Sequence, residues 1–116
     1  MPGTDVAVLL IVPGFSLHDE LQLLAEDLGM TSAEALVSAT LRPAEFFGMQ
    51  DSLGTVEAGK LADLVLLDAD PLEDIRNTQR IGAVVLNGKY LDRAALDEML
   101  AEVEADARQV RATSAK

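Results

Sequence analysis

A chain of 116 residues and 12.4 kDa allows one compact domain and hardly a second. Twenty acidic residues against nine basic ones give a formal net charge of −11, which repels phosphate backbones and anionic lipid, so we expect neither nucleic acid nor a membrane as a partner. The absence of cysteine excludes disulfides, thiolate metal sites and Cys nucleophiles, and fits a reducing, cytoplasmic setting.

The first element in the chain is the run Val6–Val12, apolar at every position and rich in β-branched residues. That pattern predicts a strand buried on both faces. Its seven residues fall far short of the ~20 that a membrane-spanning helix needs. Ser16 reads as an N-cap, with Asp19 and Glu20 in the first turn and Leu17, Leu21, Leu24 and Leu28 on one face, up to Gly29. Thr31 and Glu34 spell a capping box for a second helix, which Pro43 breaks. Pro43 can then sit in the first turn of a short helix through Phe46 and Phe47, stopped at Gly48.

After Leu53 the pattern changes to turns and strands. Ala62–Asp68 holds a second apolar strand, Asp70-Pro71 a turn, 74–80 an irregular connection and Ile81–Leu86 a third strand. Asn87-Gly88, between Val84-Val85-Leu86 and Lys89-Tyr90-Leu91, is a two-residue hairpin signal. Asp92 caps a last helix with Leu96, Met99, Leu100, Val103 and Ala107 in one stripe, and the polar tail from Arg108 is expected to fray. With aromatic residues at only 3%, any core has to be aliphatic.

Several stretches resemble the metal-dependent amidohydrolases, in particular their imidazolonepropionase-like and prolidase-like branch. They are Gly3-Thr4-Asp5, then Pro13-Gly14-Phe15-Ser16-Leu17-His18-Asp19-Glu20-Leu21, then Met30 to Leu36 and Ala39 to Ala44. The most specific is Gly54-Thr55-Val56-Glu57-Ala58-Gly59-Lys60-Leu61-Ala62-Asp63-Leu64-Val65. The resemblance implies an α/β fold: the C-terminal fragment of a (β/α)8 barrel, with its last strand and helices, plus part of a small β-sandwich. Residues 1–50 would end the barrel, 51–91 would give C-terminal strands of the sandwich, and 92–116 a C-terminal helix and tail. Two positions depart from the relatives' pattern. Arg42 stands where Asn is usual, removing a helix cap, and Ala58 stands where Pro is usual, removing a rigid turn. Val6 and Val8 are also bulkier than the residues that relatives tend to carry there.

By that resemblance Asp5 matches the aspartate at the end of the eighth barrel strand, a metal ligand and proton shuttle, in a position where barrel enzymes keep their functional groups. His18 would lie near the mouth of a substrate pocket, although a helix residue making a local hydrogen bond is the plainer reading. The parent enzyme would use a divalent metal, Zn²⁺ or similar, to hydrolyse a C–N bond in a small-molecule amide, cyclic amide or dipeptide. The family's other ligands are a His-x-His pair, a Lys or Glu, and two later histidines, all ahead of the eighth strand. Only four residues precede Asp5, and His18 is the single histidine. A catalytic Zn²⁺ wants about three protein ligands, so the chain alone is expected to bind no metal and to be inactive.

Two other patterns carry no chemistry. Asp63, Asp68 and Asp70 suggest a cation cluster, but Asp63 and Asp68 flank a strand ~17 Å long and cannot share an ion. Gly54, Gly59 and Lys60 approach phosphate-loop spacing, but Leu61 replaces the required hydroxyl and a strand follows where a helix should. Two roles remain open. The chain is either the C-terminal segment of an amidohydrolase, or a stand-alone truncated product with a binding or assembly role. Either way its apolar strands need covering, so a homo-oligomer or a complementing N-terminal barrel portion is expected.

Overall fold

A computed structural model of the protein describes residues 1–3 and 14–115. Asp5 and the run Val6–Val12 lie outside the described residues. In chain order the elements are α1 (Phe15–Glu26), α2 (Ser32–Ala39), α3 (Leu41–Phe46), β1 (Leu64–Leu67), a 3-10 helix (Ile75–Gln79), β2 (Ile81–Leu86), β3 (Lys89–Asp92) and α4 (Arg93–Ser114).

Helix α1 begins one residue before Ser16. Gly14, at φ +81°, holds the N-cap position and no side chain caps the helix, so Ser16 is not its N-cap. Asp19 and Glu20 consequently fall past the first turn. Of the expected apolar face, Leu21 is buried and Leu24 half-buried, whereas Leu17 and Leu28 are exposed. Helix α2 is capped as expected. The Thr31 hydroxyl accepts from the Glu34 N–H at 3.2 Å, and the Glu34 carboxylate accepts from the Thr31 N–H at 2.8 Å. Thr40 closes α2 and opens α3, which puts Pro43 in the first turn, where its missing N–H leaves no bond unmade. Arg42 is therefore not at a cap position; it pairs with Glu45 at 2.7 Å.

β1, β2 and β3 form one antiparallel sheet in that order. Asn87 (φ +50°) and Gly88 (φ +79°) make the tight turn between β2 and β3, the left-handed pair that a two-residue hairpin requires. The register between β1 and β2 shifts after Leu66, leaving Gly82 as the extra residue. An apolar run such as Leu64–Leu67 suits a strand covered on both faces. Here Val65 is 56% exposed and Leu66 45% exposed, and alternation puts them on opposite faces.

The core joins helices to sheet through an unexpected segment. Leu21, Ala35 and Ile75 form its buried centre, with Leu24, Ala25, Leu36 and Ala39 around it. Ile75 belongs to the 3-10 helix, which replaces the irregular connection expected over residues 74–80. Asp74 starts that helix by accepting from the Arg76 N–H at 2.9 Å. The Arg76 guanidinium clasps the same carboxylate, and these bonds hold Asp74 below the usual carboxylate range. Helix α4 starts under an Asp92 cap accepting from the Ala95 N–H at 2.8 Å, and continues through the polar stretch beyond Arg108.

Candidate functional site

The described residues bring one polar constellation to a concave surface. Helix α1 carries His18 in its first turns, and the 3-10 helix carries Thr78. The His18 Nδ1 and the Thr78 hydroxyl are hydrogen-bonded at 3.0 Å, across 60 residues of chain. His18 therefore makes a tertiary bond, not the local one its position suggested. It opens onto a groove of about 690 Å³ between α1, β2 and the base of α4, whose apolar lining includes Phe15, Ile81, Val84 and Leu96.

Of the charged groups at this groove, Arg93 already has a structural duty. Arg93 donates through Nη1 to the Ile81 carbonyl at 2.9 Å and through Nε to Asp97 at 2.9 Å, tying the start of α4 to β2. Thr78, at 6% exposure, is shut off from any substrate carbonyl, so the His18–Thr78 pair is not a base and its nucleophile. Among the described residues, no group of three or more His, Asp or Glu side chains could hold a metal ion.

Of the aspartates near β1, Asp63 and Asp70 each serve a different turn. The Asp63 carboxylate accepts from the Asn87 N–H at 2.6 Å and that of Asp70 from the Leu72 N–H at 2.8 Å. The loop carrying Gly54, Gly59 and Lys60 is closed on itself. The Lys60 ammonium, on a side chain only 14% exposed, donates to the Gln50 carbonyl at 2.7 Å and to the Thr55 hydroxyl at 2.6 Å. It also pairs with Glu57 at 2.6 Å, and that contact holds the Glu57 carboxyl below its ordinary range. Lys60 is a loop anchor with no donor left for a phosphate.

Sequence reasoning missed Ile75 and Thr78. Their spacing of three places both on the inner side of a 3-10 helix, whose local mark is the Asp74 cap. No helix among the described residues is long and apolar enough to cross a membrane.

The sequence matches the amidohydrolase family over residues 2–91. The chain is 38% identical over 55 residues to an imidazolonepropionase of Symbiobacterium thermophilum, covering 47% of this chain and 13% of that protein. Among solved structures, it is similar to phenylurea hydrolase B, with a TM-score of 0.64 and 45% identity over 71% of this chain and 18% of that one. It is also similar to a Xaa-Pro dipeptidase solved with methionine in its active site, with a TM-score of 0.61 and 33% identity over 65% of this chain and 18% of that one. The chain thus spans less than a fifth of each of these three proteins.

Proposed function

The chain belongs to the amidohydrolase family, and from that membership we propose that it acts as the C-terminal part of a metal-dependent, cytoplasmic enzyme hydrolysing C–N bonds in small amides, cyclic amides or dipeptides. The observation that carries this reading is the family match itself. It runs through Asp5 and the Gly54–Val65 string, while the chain spans only 13% to 18% of the relatives named above. In this reading Asp5 is the one metal-binding and proton-transferring carboxylate that the chain contributes. His18 stands at the rim of the substrate site, and the remaining ligands come from a complementing barrel portion.

The test is reconstitution. The purified chain with Zn²⁺ is assayed against a panel of amides and dipeptides, alone and with a polypeptide supplying the His-x-His pair and the two later barrel histidines. Turnover is expected only in the mixture, and Asp5→Asn there should lower kcat by at least about 100-fold. Turnover by the chain alone, or an Asp5→Asn mixture as active as the parent, would sink the proposal. A second reading, a non-catalytic assembly module, is favoured by the apolar side chains left exposed on the sheet and helices. It gains if no complement restores turnover.

A further inference from the structure

The turn between β2 and β3 sets an electrophile beside a nucleophile. The side-chain amide carbon of Asn87 and the backbone nitrogen of Gly88 can close on each other into a succinimide ring. Gly88 has no side chain to shield that nitrogen, and both residues are exposed. The chain's other asparagine, Asn77, is placed differently. Its side-chain amide donates to the Asp70 carbonyl at 2.8 Å, and the buried, β-branched Thr78 follows it.

The fold restrains this reaction through the residues that lead into β1. The Gly88 N–H donates to the Ala62 carbonyl at 3.0 Å, and the Asn87 N–H donates to the Asp63 carboxylate at 2.6 Å. Ring closure needs the Gly88 nitrogen to lose its proton and turn toward the Asn87 Cγ, which cannot happen while that N–H is given to Ala62. We propose that Asn87 is a site of spontaneous deamidation, and that Asp63 and the Ala62 carbonyl form the clamp that sets its rate. When the turn opens, the Gly88 nitrogen attacks the Asn87 Cγ. The Cγ–Nδ2 bond breaks, and the amide leaves as ammonia with the proton that the Gly88 nitrogen gave up. Water then opens the ring at either carbonyl, to aspartate or to isoaspartate. Isoaspartate carries the main chain through Cβ and Cγ, which lengthens a turn that sets the register of β2 on β3. Either product puts a new carboxylate on the residue whose N–H Asp63 holds. Helix α4 packs on both strands, so its base loosens with them.

The full chain is incubated in mildly alkaline buffer, native and in urea, and mapped by peptide mass spectrometry. Deamidation at Asn87 should be at least ~10-fold faster in urea, where no opening step precedes the attack. Asp63→Ala should speed the native reaction about 10-fold, the factor that one lost charge-assisted hydrogen bond supplies, with no change at Asn77. Hydrogen exchange separates the clamp from the fold. The Gly88 amide should exchange faster in Asp63→Ala while the amides of β2 keep their protection. Asn87 reacting as fast in the native chain as in urea overturns the proposal, and so does an unchanged rate in Asp63→Ala. An acceleration that comes only with lost protection along β2 overturns it too, because the restraint would then belong to the whole fold.

Discussion

Gly54 shows why the most specific string in this sequence concerns shape more than chemistry. Its φ is +99°, and a Cβ built there would lie 2.7 Å from the Ala44 Cβ and 3.3 Å from the Leu41 Cα. The glycine lets the loop rest directly on α3, and Lys60 then closes the loop from the other side through Gln50, Thr55 and Glu57. Gly54→Ala combines a left-handed backbone with overpacking against a buried helix face. It should destabilise the chain by at least about 2 kcal/mol, measured as a loss in urea unfolding. A variant as stable as the parent would show that the loop is free to lift off α3.

At the scale of elements, α2 has only 8 residues and depends on its capping box, since a helix this short is marginal by itself. The bonds from Thr31 hold the Glu34 carboxyl below its ordinary value of 4.5. A depressed pKa means the contribution is complete above pH 4.5 and is lost as pH falls through the lower, folded value. An NMR titration of Glu34 should therefore give a midpoint below 4.5, and Thr31→Ala should move it back toward that value. Thr31→Ala should also cost about 1 kcal/mol at neutral pH, with the difference shrinking in acid. A Glu34 midpoint at or above the ordinary value would mean the box is not closed in solution.

The elements that could be read from the sequence are those whose cause is local. Thr31 with Glu34, Asn87 with Gly88, and Asp92 before α4 each act within three residues, and the structure has all three. Ser16 misled because a glycine two residues earlier could start α1 without a side-chain cap. The 3-10 helix escaped because, beyond its local Asp74 cap, what fixes it is distant: Ile75 packs on Leu21 and Ala35, and Thr78 bonds His18. The family string was legible as a motif, but its work as a loop anchor depended on Ala44 and Gln50, which the motif does not contain.

For the molecule as a whole, the buried apolar residues described are Leu21, Ala35, Ala44, Ile75 and Ala83, three of them alanines. The accessible surface is 8579 Å², against about 6,100 Å² for a compact chain of this mass. The difference is of the size that a permanent partner covers; α4, exposed from Met99 onward, contributes to it, as do exposed residues such as Val65, Leu66 and Tyr90 on the sheet and Phe46 and Phe47 on the helical side. The isolated chain should consequently bind an apolar-surface dye. A complementing barrel polypeptide should displace that dye and, at ~100-fold excess over its Kd, raise the unfolding midpoint by roughly 10 °C. Dye binding and midpoint both unchanged by the complement would mean that these faces do not receive a barrel portion.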